Sequence, residues 1–230
     1  MNSPSDLRIH LEAGAVTTAL VYRSTAGDAQ AALILGHGAG AGQRSTFMVE
    51  FAHALAALGL DVVTFNFLYT EQGRKIPDRA PALEACWRAV IDAVRSDLGS
   101  ARKALFIGGK SMGGRIATQV AAADPALPLA GLVLLGYPLH PRGRPAERRD
   151  KHLPAITRPM LFVQGNRDAF GTPVELTPVV AVLAPAPTLH VVAQGDHSFK
   201  LSRKDPAAQA AVFAEVQQTI AAWIRSVTGI

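Results

Sequence analysis

At 230 residues, 49% hydrophobic and 18% charged, the chain is long enough for one α/β domain (1–230) with a sizeable core, and its composition excludes wholesale disorder. The formal net charge of +5 is spread along the sequence with no recognisable nucleic-acid module, so it reads as a solvated basic surface and no nucleic-acid partner is expected. No apolar run approaches the roughly 18 residues of a membrane span, and the opening Met1-Asn2-Ser3-Pro4-Ser5-Asp6 has no apolar signal core, so a cytoplasmic protein with no membrane partner is expected.

Short β-rich runs alternate with longer helical patterns, which predicts βαβ units and a doubly wound, mostly parallel sheet with helices on both faces. Residues 7–11 and 17–22 read as an N-terminal pair of strands with a turn at Ala13-Gly14. Residues 31–36 form a short apolar run ending in glycine, hence a buried strand. A helix follows at 47–58, stopped by Gly59, and 61–67 is a strand rich in Val and Phe. The helix predicted at 81–98 places Leu83, Trp87, Val90, Ile91 and Val94 on one face. It includes the only cysteine, Cys86, which therefore reads as a core thiol and excludes an intramolecular disulfide or a cysteine metal cluster. Strand 104–108 and helix 111–123 come next, then strands at 131–135, 160–163 and 189–192. Helix 206–227 closes the pattern, with Val212, Phe213, Val216, Ile220 and Trp223 recurring every three or four residues.

In a doubly wound sheet, ligands bind beyond the carboxyl ends of the strands, and the chemical residues fall there. The stretch Ile107-Gly108-Gly109-Lys110-Ser111-Met112-Gly113-Gly114 sets a Gly-x-Ser-x-Gly pattern between a strand and a helix, the setting of a nucleophile elbow. Such a turn is too sharp for side chains two residues either side of the serine, which calls for glycine at 109 and 113. It lifts the hydroxyl above the sheet and turns the Met112 amide, at the helix start, toward a developing oxyanion.

An unactivated serine is a poor nucleophile, so the motif predicts a base and a group that orients it. Where this turn is used, the chain order is Ser, then an acid, then His. Asp168 follows strand 160–163 in a polar turn, and His197 follows strand 189–192 in a glycine turn. Asp196 adjoins His197, but adjacent side chains in an extended turn point apart, so Asp168 is preferred as its partner. His190 alternates within a strand and reads as packed or surface.

A second oxyanion donor is expected from Gly36-His37-Gly38-Ala39-Gly40-Ala41-Gly42: the Ala39 amide, with Gly40 in reserve. His37 precedes the serine and reads as structural. The run lacks the Gly-Lys-Ser/Thr ending of a phosphate-binding loop. Between Gly136 and Pro159 the chain is short, polar and proline-rich, so any lid is minimal. Arg142, Arg144, Arg148, Arg149 and Lys151 there either grip an anionic substrate or a partner, or belong to a solvated loop. Lys110, Asn66, Tyr69 and Arg74 are further candidates for substrate binding.

These motifs together resemble a known family. The segments His37–Gly40, Gly109–Arg115, Gly136–Pro141, Gln164–Asp168 and Gly195–Phe199 are similar to those of a lidless, dienelactone-hydrolase-like branch of the α/β hydrolases, the branch containing the testis-expressed and NSL-complex-subunit hydrolase-like domains. The resemblance runs from about Leu33 to Trp223. It implies the triad Ser111, Asp168 and His197, no metal and no organic cofactor, and it implies no particular substrate. Dienelactone hydrolases proper use a cysteine where this chain has Ser111, so lactone-ring opening is not carried over. The expected activity is hydrolysis of a small-molecule carboxylic ester, or of a thioester, with an anionic substrate compatible with the basic residues. The alternative is a non-catalytic interaction module on the same fold.

Overall fold

The computed structural model describes residues 3–202 and 205–229. Eight strands form one sheet: β1 (Ser5–His10), β2 (Val16–Tyr22), β3 (Ala32–Gly36), β4 (Asp61–Phe65), β5 (Leu105–Lys110), β6 (Gly131–Leu135), β7 (Met160–Gly165) and β8 (Thr188–Val192). Their spatial order is β1-β2-β4-β3-β5-β6-β7-β8. β2 pairs antiparallel with both β1 and β4, and every pairing from β4 to β8 is parallel. Parallel neighbours require crossovers, and helices supply most of them. These are α1 (Thr46–Ala57) after β3, α3 (Ala80–Asp97) after β4, α5 (Met112–Ala123) after β5, and α6 (Pro173–Val180) after β7. The β6–β7 crossover holds only a 3-10 turn, Leu153–Ala155, so this connection contributes no lid helix. α7 (Pro206–Thr228) follows β8.

The strands are apolar almost throughout because both faces of the sheet are covered. Alternation along them divides the core in two. Ala32, Ile34, Ile107, Leu132, Leu134 and Phe162 pack under α3, α5 and α6, with Trp87 fully buried among them. Leu33, Leu35, Phe106, Val133, Leu161 and Val163 pack on the other face against Phe51 and Leu55 of α1 and Val216 and Ile220 of α7. The edge strand β8 is only partly covered.

The order of the long elements agrees with the reading of the sequence, and the differences lie at ends and in short pieces. β4 stops at Phe65, two residues early, because the chain turns away to place Asn66 and Phe67 under the loop after β3. β5 runs on through Gly109 and Lys110, held by β3 on one side and β6 on the other. The turn at 13–14 is a 3-10 turn over Glu12–Gly14. Two helices escape periodicity because they are too short, α2 (Leu68–Glu71) and α4 (Gly99–Lys103). α6 is longer, and its start did have a signal: Thr172 and Glu175 form a reciprocal capping box.

Candidate active site

Four loops meet beyond the carboxyl ends of β3, β5, β7 and β8. At the end of β5 the backbone turns so sharply that Ser111 sits at φ 53°, ψ −114°, outside the regions a serine ordinarily occupies. Its amide donates to Leu135 O (2.9 Å) and its carbonyl accepts from Arg115 N (3.0 Å), so sheet and helix hold the turn from both sides. Gly109 adopts φ 141°, and a Cβ on it would lie 2.1 Å from Gly36 O. Gly113 meets the same oxygen at 2.1 Å. β3, β5 and the start of α5 are thus packed backbone to backbone around Ser111.

Ser111 Oγ lies 2.8 Å from His197 Nε2, and His197 Nδ1 lies 2.7 Å from Asp168 Oδ2. Asp168 is fully buried, whereas His197 keeps about a fifth of its side chain exposed (21%). A buried carboxylate accepts hydrogen bonds, so Nδ1 carries the imidazole proton and Nε2 is left to accept from the serine hydroxyl. Asp168 also accepts from Gln164 Nε2 (2.8 Å) at Oδ2 and from Phe170 N (2.8 Å) at Oδ1. Gln164 is a residue that sequence reasoning missed. Buried at the end of β7, it also donates to Gly171 O (2.6 Å) and accepts from Tyr137 N (2.8 Å), tying the loops after β6 and β7 to the carboxylate. The Phe170 ring lies 4.4 Å from the imidazole ring, centroid to centroid.

The turn carrying His197 is built by its neighbour. Asp196 Oδ1 accepts from Ser198 N (2.8 Å) and Lys200 N (2.9 Å), so this carboxylate is occupied within its own loop and Asp168 faces the imidazole. His37 is buried after β3. Its Nε2 accepts from Phe67 N (3.2 Å) and its Nδ1 donates to Gly38 O (2.8 Å), while burial pushes its pKa below the ordinary histidine value. It braces the loop that follows β3.

A cleft of about 640 Å³ opens over Ser111, within the size range of small-ligand sites. Ala39 and Met112 line it beside Ser111 and His197, as do Phe47, Leu83, Pro138 and Phe170. Lys110 also lines it. Its side chain is nearly buried, and desolvation lowers its pKa from the ordinary 10.5 to about 8 against the attraction of Asp168 and Asp196. Lys110 Nζ and His197 Nδ1 both lie within 3.4 Å of the point a Cβ on Gly136 would occupy, which puts the ammonium close behind the imidazole. A larger depression, about 1110 Å³, runs along β2 and α1 around Tyr22 and His53, and none of Ser111, Asp168 and His197 lines it.

Other candidates lie elsewhere. Gly40, Asn66, Tyr69 and Arg74 border a separate depression on the far side of the 38–43 loop. Asn66 Oδ1 accepts from Gln43 N (2.9 Å) and its amide donates to Glu71 (3.0 Å), so it braces the loop from behind. Tyr69 is buried, and Arg74 is paired with Asp78 at 2.7 Å. Arg142 and Arg144 are exposed outside the cleft, and Arg144 pairs with Glu147 at 3.0 Å. Two arginines from outside that set, or taken only as part of the basic loop, do line the cleft: Arg115 and Arg149. Cys86 is buried, and desolvation raises its thiol to about 12, which makes it inert as a nucleophile. Among the described residues no three His, Cys, Asp or Glu side chains gather as a metal site, and no helix is long and apolar enough to cross a membrane.

Solved structures share this arrangement of strands and helices. A lidless α/β serine hydrolase from Xanthomonas campestris superposes with a TM-score of 0.71 at 21% identity, covering 95% of this chain and 96% of that one. An α/β serine hydrolase homologue from Coxiella burnetii gives 0.74 at 19%, covering 96% and 97%. A dienelactone hydrolase from Anabaena variabilis gives 0.72 at 18%, covering 94% and 97%. At these identities the likeness speaks for the fold. The family model of the alpha/beta hydrolase domain matches residues 29–225, which takes in the serine turn and both loops that face it. The chain belongs to the α/β-hydrolase family, in the fold of its lidless branch.

Proposed function

We propose that this protein is a serine hydrolase that cleaves a carboxylic ester, or a thioester, through an acyl-enzyme on Ser111. The observation that carries the reading is the unbroken line from Ser111 Oγ through His197 to Asp168, 2.8 Å and 2.7 Å, opening into a cleft. Ser111 Oγ attacks the substrate carbonyl carbon while His197 Nε2 takes the hydroxyl proton. Asp168 stabilises the imidazolium through Nδ1, and Gln164 and the Phe170 amide keep that carboxylate oriented. The tetrahedral oxyanion is received by the amides of Met112 and Ala39, both on the cleft wall. Collapse of the intermediate expels the alcohol or thiol, which takes the proton from His197. Water then attacks the acyl-enzyme with His197 again as base, releasing the acid and the free serine.

Labelling with a fluorophosphonate, read by intact mass, tests this. The expected result is one adduct on the wild type and none on Ser111→Ala. A folded wild type that takes no label overturns the reading and returns the fold to the role of an interaction module.

A further inference from the structure

The cleft over Ser111 holds more positive charge than its own carboxylates balance. Lys110, Arg115 and Arg149 all line it. Among the described residues no carboxylate oxygen comes within 4.0 Å of any of the three, whereas Arg74, Arg88, Arg144 and Arg148 are paired with Asp78, Glu84, Glu147 and Asp150. The cleft's one lining carboxylate outside the triad, Asp78, is the one Arg74 already holds at 2.7 Å.

Arg115 stands one helical turn beyond the nucleophile, its amide bonded to Ser111 O at 3.0 Å. Its nearest polar side-chain partner is the neutral Gln119, at 3.4 Å. Arg149 is fixed at its backbone, where its amide donates to Leu139 O (2.8 Å) and its carbonyl accepts from the buried Tyr137 hydroxyl (2.6 Å). Both side chains are partly buried, and their charges are close enough to repel: desolvation and then Arg149 lower the pKa of Arg115, with only Tyr137 and Glu84 opposing. Two arginines lining one cleft with no carboxylate within 4.0 Å of either are an arrangement that an anion relieves, since each guanidinium offers a planar fork for a carboxylate.

We infer that Arg115 and Arg149 form an anion subsite, and that the substrate of this cleft carries a carboxylate near its scissile acyl bond. This rests on the serine-hydrolase reading for its chemistry but not for its binding. Two matched ester pairs test it: p-nitrophenyl hydrogen adipate beside p-nitrophenyl hexanoate, charged in the acyl part, and 4-acetoxybenzoate beside its methyl ester, charged in the leaving group. At least one charged ester is expected to exceed its neutral partner in kcat/KM by about 10- to 100-fold, the scale of one charge-assisted hydrogen bond. That ratio is expected to fall about tenfold or more in Arg115→Gln and in Arg149→Gln. Arg149 is in a loop, so the second variant keeps the test open if the first fails to fold. No preference in either pair, or an equal loss on charged and neutral esters, overturns the subsite. If no ester turns over and Ser111 takes no fluorophosphonate, the hydrolase reading fails by itself. Calorimetric titration with adipate then decides: binding weakened about tenfold or more in Arg149→Gln upholds the subsite, and no binding to the wild type overturns it.

Discussion

Lys110 and Ser111 are adjacent in sequence and opposite in situation. The hydroxyl reaches the cleft with a base at hand, while the ammonium is nearly buried beside the imidazole and Asp168. A lysine whose folded pKa is lowered is bound less tightly to its proton than in the unfolded chain, so stability rises with pH between the folded value, about 8, and the ordinary value, 10.5. Below about 8 the buried charge carries its full cost, at most about 3 kcal/mol. Lys110→Met is therefore expected to be more stable than the wild type at pH 7.5, with the gap narrowing by pH 9.5. Urea unfolding at the two pH values checks this, and a gap of equal size at both would sink it. Ser111, Asp168 and His197 were legible at this scale because each has a local setting: a glycine turn for Ser111, a polar or glycine turn after a strand for Asp168 and His197. Gln164 was not, because a glutamine at a strand end has no mark until the loops after β6 and β7 close on it.

The Gly-x-Ser-x-Gly turn works as a unit with β3, and the sequence alone places its glycines only within their own segment. The tertiary reason for Gly113 lies 77 positions away along the chain: a Cβ there would sit 2.1 Å from Gly36 O and 2.3 Å from Gly36 C. Neither atom belongs to a flexible side chain, so β3 and α5 would have to separate. Gly113→Ala is expected to lower stability by about 3 kcal/mol or more, or to block folding. Gly114→Ala, whose nearest conflict is 2.7 Å from Gly109 O, is expected to be the milder of the two. Thermal unfolding of both variants tests the order, and a harmless Gly113→Ala would mean that the backbone contact can relax. The long helices were legible from periodicity, and α2 and α4 were not, since four or five residues complete too little of an apolar stripe. The loops fared worse. Asn66, Tyr69 and Arg74 follow β4, the correct end of the sheet, but the 38–43 loop stands between them and Ser111.

Across the whole molecule, acid is expected to act through one buried and one half-buried histidine, on both sides of the site. His37 braces the loop after β3, and His152 meets Thr118 Oγ1 at 2.8 Å across α5. Burial lowers both pKa values, with Arg115 adding to the effect at His152. The unfolded chain then binds these protons first, so the stability present above the ordinary histidine value, 6.5, is lost as pH falls through the folded values. The urea midpoint is expected to drop between pH 7.5 and pH 5, and to drop less in His37→Gln, whose side chain does not titrate. Equal midpoints at the two pH values would refute the link. The sequence by itself determined the α/β class, the order of the long elements and three polar residues at strand ends, because propensity, periodicity and turn sterics act over a few residues. Only the tertiary structure decided which loops face one another: Gln164 under Asp168, Asp196 turned into its own loop, and Arg115 and Arg149 on one cleft. Those facts depend on strand order and on the separate paths of loops from different strands, and such long-range contacts leave no periodic trace in the segments that make them.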